Sequence, residues 1–174
     1  FLSEFLPGPV VSKKSKSFEL YEPKDSIGAL GAFYGNASVY IRAYVYIKTL
    51  GNEYIPMIGK LATLNANYIQ ESLKDIFNLP IKGHAMHEFV FDGLIDQSTN
   101  IKTLDIAKRL LDYGIHAPTI YFPLIFEQSL MVEPTESESK ETLDNFIKAL
   151  SEIALEAKNT PELLKNAPHT TIVR

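Results

Sequence analysis

The 174-residue sequence has no cysteine, no tryptophan, no long apolar run and no strong excess of either charge. Without cysteine there is no thiolate nucleophile, no cysteine-ligated zinc and no disulfide framework, a composition that fits a cytoplasmic protein. A membrane helix needs about eighteen or more apolar residues in a row, and neither such a run nor a signal-peptide layout occurs, so no membrane partner is expected. The formal net charge of −4 is mild and mixed. That excludes a surface built electrostatically for nucleic acid or anionic lipid. A Walker-type phosphate loop, a dinucleotide fingerprint and a Gly-x-Ser-x-Gly elbow are also missing, and no serine stands in a recognisable triad setting. The length still suffices to bury a core without a staple. The chain opens on Phe1 rather than methionine and stops at Arg174, and is expected to be a piece of a longer protein.

What is present reads as an α+β arrangement, a small antiparallel sheet covered by helices. Residues 118–124 are β-branched, aromatic and apolar between two prolines, which predicts a buried strand of about seven residues. Leu130, Met131 and Val132 predict its antiparallel partner. Residues 83–93 predict a third strand closed by Gly93, with His87, Phe89 and Phe91 on one face and Glu88, Val90 and Asp92 on the other. His84 and His87, an odd number apart, then point to opposite faces, so no metal site is predicted.

Helical periodicity covers much of the rest. Residues 1–24, with Pro7, Gly8, Pro9 and an alternation of serine and lysine, read as an arm without regular structure. Residues 25–174 form the second part, a small domain with its connecting helices. Asp25 or Ser26 is expected to cap a first helix with Ile27 and Leu30 inward. Phe33, Tyr34 and Gly35 to Ser38 introduce a strongly apolar second helix stopped by Gly51. Its N-terminal amides could hold an anion such as phosphate; close packing of a neighbour explains the glycines equally. Pro56 suits the first turn of a helix running to about Asn78. Thr103 is expected to cap a helix with Leu104, Ala107, Leu110 and Leu111 inward, Lys108 and Arg109 outward, and Gly114 as its stop. Thr135 or Ser137 is expected to cap a long helix with Leu143, Phe146, Ile147, Leu150, Ile153 and Ala154 inward, and Pro161 to start a short last one.

Several motifs resemble the glycine cleavage system P-protein, the pyridoxal-phosphate-dependent glycine decarboxylase. They are Tyr34-Gly35-Asn36-Ala37-Ser38, Leu64-Asn65-Ala66-Asn67-Tyr68, Met86-His87-Glu88-Phe89 and Asp105-Ile106-Ala107-Lys108-Arg109-Leu110. Asp112-Tyr113-Gly114-Ile115-His116-Ala117-Pro118-Thr119 and Leu130-Met131-Val132-Glu133-Pro134-Thr135-Glu136 complete the set. The start of the chain and Tyr46-Ile47-Lys48-Thr49-Leu50-Gly51 are most similar to subunit 2 of the two-subunit bacterial and archaeal form. The resemblance implies the C-terminal small domain of a fold type I enzyme. It implies decarboxylation of glycine, a glycine-catabolic step, with transfer of the aminomethyl group to the lipoyl group of H-protein. The lysine that holds the cofactor as a Schiff base lies, in that family, in a His-Lys motif upstream of the counterpart of Phe1. No such motif occurs here, so these residues alone are expected to be inactive and to hold no covalent cofactor.

By the same resemblance His87, Glu88, His116 and Thr119 are candidates for the substrate or lipoyl pocket. Gly35, Asn36 and Ser38 are candidates for contacts near the cofactor phosphate. The remaining part of the P-protein, its other subunit, H-protein and glycine are the implied partners. Two other readings stay open: a non-catalytic interaction module binding a partner subunit or carrier protein, and a small hydrolase using His84 or His87 on a metal.

Overall fold

The computed structural model describes residues 2–31 and 35–171, so Phe33 and Tyr34 lie outside the described residues. It divides into two compact units, Phe1–Gly51 and Asn52–Arg174.

The first unit contains a hairpin where an irregular arm is expected. Strands β1 (Val10–Lys14) and β2 (Ser17–Tyr21) pair antiparallel from Val10 opposite Tyr21 to Lys14 opposite Ser17. Only Ser15 and Lys16 form the connection, without the Asn-Gly or Asp-Gly signature of such turns. Residues 25–31 do not form the expected helix. Ser26 Oγ donates to the Leu6 carbonyl at 2.6 Å, and Gly8 N–H donates to the Gly28 carbonyl at 3.2 Å. Ile27 and Leu30, expected inward, are exposed. Helix α1 (Ala37–Tyr54) follows and breaks at Gly51, whose φ of 65° only glycine adopts freely. No residue of α1 is buried.

In the second unit a 3-10 turn, Ile55–Met57, accommodates Pro56, and α2 (Ile58–Leu73) begins immediately after it. The helix stops at Leu73, about five residues short of where its apolar spacing suggests. Leu73 instead accepts the backbone N–H groups of Ile76 and Phe77, which turns the buried Phe77 ring back into the core. The sheet has the order β3-β5-β4, antiparallel throughout: β3 (Phe89–Asp92), β5 (Ser129–Val132) and β4 (Thr119–Ile120). Phe89 faces Val132 and Phe91 faces Leu130, and all four are buried. Such cross-strand apolar pairs are the unit of sheet stability. Phe91 stacks on Phe77, with ring centroids 5.2 Å apart.

β4 is two residues long rather than seven. Tyr121 takes a φ of 58°, and Pro123 has no N–H to extend the ladder, so Phe122, Leu124 and Ile125 project as an exposed turn. Residues 83–88 likewise lie outside β3, which removes His84 and His87 from any strand face.

Helices close the inner face of the sheet. α3 (Thr103–Asp112) buries Thr103, Ile106, Ala107 and Leu110, one step round from the expected stripe, because Thr103 is not a solvent-facing cap. Its N–H and Oγ donate to the Gln128 side chain and carbonyl. Tyr113 and Gly114 end the helix as expected, with Gly114 at φ 71°. α4 (Lys140–Asn159) packs on α2, α3 and α5 (Pro161–Lys165) through Leu143, Ala149, Leu150, Ile153 and Ala157. Ser139, not Thr135 or Ser137, caps it, accepting the Thr142 N–H at 3.1 Å. Glu136 and Glu138 therefore precede the helix rather than occupying its first turn. Among the described residues no helix is long and apolar enough to cross a membrane.

Candidate functional site

The outer face of the sheet collects chemistry that the inner face excludes. Val90 pairs with Met131, and Thr119 pairs with Met131 from the other side, so these three form one row across the sheet. Glu88 immediately precedes β3 and Glu133 immediately follows β5, next to the paired Phe89 and Val132. Ligand atoms of His87, Glu88 and Glu133 all lie within 4.8 Å of one another, and His87 Nε2 stands 3.9 Å from Glu133 Oε1. The three side chains are exposed. His87, Glu88 and Glu133 thus stand together at the end of the sheet where β3 begins and β5 ends.

His116 is exposed in the connection between α3 and β4 and takes no part in that group. His84 does not join it either; the hydrolase reading required a metal bridging His84 and His87. An imidazole beside two carboxylates can attract a hydrated divalent cation, yet all three groups are exposed to solvent.

Asn67 positions the segment that carries His87. It donates from Nδ2 to the Ala85 carbonyl at 2.8 Å and accepts the Ala85 N–H on Oδ1 at 3.0 Å. Asn65 donates to the Thr135 carbonyl at 2.9 Å, tying α2 to the segment after β5. Both amides serve backbone, as their apolar surroundings suggest. Ala85, held by Asn67, borders a cleft of about 320 Å³ also lined by Glu88, Phe89, Val90, Phe122 and Met131.

Gly35, Asn36 and Ser38 belong to the first unit. Gly35 has φ 81°, and any Cβ there would strike the Tyr40 hydroxyl. Asn36 Oδ1 accepts the Ser38 N–H at 2.9 Å and the Ser38 hydroxyl at 2.6 Å, while its carbonyl accepts the N–H groups of Val39 and Tyr40. The start of α1 is capped by Asn36, which engages the Ser38 N–H and hydroxyl and the N–H groups of Val39 and Tyr40.

A second charged cluster is structural. Arg109, expected outward, is half-buried and donates from Nε and Nη2 to the two oxygens of Glu156 at 2.8 Å each, and from Nη1 to Asp112 at 2.9 Å. These bonds hold the Glu156 carboxyl below its usual range against the opposing effect of burial. Burial also pushes the Asp112 carboxyl up, but the N–H groups of Thr170 and His169, the Thr170 hydroxyl and Arg109 outweigh it and hold it at about 2. Burial, with Glu156 nearby, raises the Tyr113 phenol.

Glu133 and the cleft residues Phe122 and Met131 were not legible as site residues. Only the pairing of β3 with β5 brings Glu133 near Glu88, and pairing between distant strands leaves no local signature.

Comparison with known proteins matches residues 58–169 to a family described as glycine dehydrogenase, C-terminal domain. The chain is 53% identical over 175 residues to a probable glycine dehydrogenase (decarboxylating) subunit 2 of Thermosipho melanesiensis, covering 99% of this chain and 36% of that protein. A protein of the same description from Alkaliphilus oremlandii is 54% identical over 174 residues, with 99% and 36% covered. One from Caldanaerobacter subterraneus subsp. tengcongensis is 53% identical over 174 residues, with the same coverage. The chain spans about a third of the length of the curated relatives it matches.

Proposed function

This chain belongs to the glycine dehydrogenase C-terminal domain family, and from that premise we propose that it serves as the C-terminal domain of a cytoplasmic glycine decarboxylase of the glycine cleavage system. The observation that carries the proposal is the family match over residues 58–169, which takes in the whole sheet and every candidate residue of the second unit. The proposed partners are the rest of the P-protein, its other subunit, glycine and the lipoylated H-protein.

Pyridoxal phosphate supplies the electron sink for glycine decarboxylation in such enzymes. The turn at Gly35, Asn36 and Ser38 is proposed to lie near its phosphate, with Asn36 holding the Ser38 N–H and hydroxyl. The lysine that grips the cofactor is proposed to lie outside these 174 residues. What this chain contributes is the pocket edge. Glu88 and His87 with Glu133 present a polar rim suited to orienting an amine or exchanging a proton, and Thr119 stands on β4 of the same sheet. His116 is proposed to line the lipoyl approach.

The test is kinetic. In the parent enzyme, with its other subunit and H-protein, His87→Gln and Glu88→Gln should each lower kcat/KM for glycine–bicarbonate exchange by about a hundredfold without lowering Tm. Turnover unchanged in both variants removes the rim from the proposal.

A further inference from the structure

The two clefts that meet at Gly83 and His84 differ in how their charges are balanced. The larger, about 570 Å³, has Glu71 and Asp75 on its wall with Lys74 and Lys82 to answer them. Lys74 pairs with Glu71 directly, so this cleft makes no net demand for a charged ligand. The smaller, about 320 Å³, is walled by Ile81, Phe89, Val90, Phe122, Pro123 and Met131. Among the described residues that line it, Glu88 is the one acid, and none is lysine or arginine. An apolar wall with a single charged group is the usual make-up of a small-molecule site.

Glu88 gains no compensating charge from its surroundings. Its carboxylate is exposed and stands within 4.8 Å of a Glu133 carboxylate oxygen and a His87 ring nitrogen. Among the described residues no lysine or arginine forms an ion pair with either glutamate, and Glu133 has only His87, at 3.9 Å. Two carboxylates and one imidazole leave the group negative whichever form the ring takes. Like charges this close repel, and an added cation relieves them. A hydrated metal ion answers the charge but leaves the apolar wall wet; a neutral apolar molecule covers the wall but not the charge. An anion meets neither need.

We propose that the cleft between residues 81–85 and Phe122–Pro123 binds a primary alkylammonium, its charged head against Glu88 and its aliphatic body along Phe122 and Met131. The proposal shares Glu88 with the pocket edge described above and rests on that reading for its place in the parent enzyme, while naming the class of ligand that the edge takes.

Three probes with the same chain length separate charge from apolar body: hexylammonium, which is protonated at neutral pH as a lysine side chain is, neutral 1-hexanol and anionic hexanoate. Titration of the 174-residue chain at low salt, followed by the Met131 methyl resonance, should show saturable binding of hexylammonium about fivefold tighter than of 1-hexanol, with hexanoate weakest. Fivefold is the upper end for an exposed ion pair. In 1 M NaCl the preference should shrink towards parity while 1-hexanol still binds, and in Glu88→Gln it should vanish while the Met131 shift persists. Equal affinities for hexylammonium and 1-hexanol at low salt, hexanoate binding as tightly as hexylammonium, no saturable Met131 shift with hexylammonium, or a preference retained in Glu88→Gln each overturns the proposal. The comparison of probes and salt on the unmodified chain decides it whether or not the variant folds. Because no turnover is measured, failure here is separate from failure of the pocket edge in the kinetic test of the parent enzyme.

Discussion

Asn67 holds Ala85 by both of its backbone groups, accepting its N–H at 3.0 Å and donating to its carbonyl at 2.8 Å across eighteen residues. The segment that carries His84 and His87 has no strand ladder of its own, so this pair replaces one. Asn67→Ala should cost about 2 kcal/mol, the loss of two such bonds. Hydrogen exchange should show the Ala85 amide unprotected before β3 loosens. Protection at Ala85 equal to that of the unmodified chain contradicts the assignment.

The Asp112 clasp makes a pH prediction. Its carboxyl titrates at about 2 when folded, below the usual unfolded value of roughly 3.9. A depressed folded value means that the stabilisation is fully present above about pH 4 and is lost as pH falls through 2. Between pH 5 and pH 2 the unmodified chain should lose on the order of 2 kcal/mol more than Asp112→Asn. Parallel urea-melt curves for the two proteins across that range refute the clasp.

The core should be least forgiving at Phe91, fully buried between Phe77 and Phe89. Phe91→Ala removes both ring contacts and opens a cavity that the sheet cannot close. The expected cost is about 3–5 kcal/mol in chemical denaturation. A loss below 1 kcal/mol indicates that the two rings repack without it.

Helix α1 exposes Val39, Ile41, Val45 and Ile47, each more than half accessible. Apolar surface of this kind drives association. Sedimentation of the 174-residue chain should show mass rising with concentration, and Ile41→Lys with Val45→Lys should abolish the rise. A monodisperse monomer at high concentration contradicts the expectation.

Local chemistry was legible and distant pairing was not. The stripe of α4, the stop at Gly114, Pro161 at the start of α5 and the strand at Leu130 all depend on neighbours within a few residues, and all are found. The β1–β2 hairpin was hidden because Ser15 and Lys16 carry no turn signature. Residues 25–31 have helix-like spacing, but Ser26 bonds to Leu6 instead. Arg109 looked like a surface charge until Glu156, forty-seven residues away, supplied a bidentate partner. At the site, His87 and Glu88 could be chosen from their motif, whereas Glu133 needed the pairing of β3 with β5.

The central claim is that these residues complete a pyridoxal-phosphate enzyme without holding its cofactor covalently. The direct measurement is to load the parent protein with pyridoxal phosphate, reduce with borohydride, and map the modified lysine by peptide mass. The account predicts stoichiometric labelling of one lysine outside these 174 residues. Stoichiometric labelling of any lysine within them contradicts it.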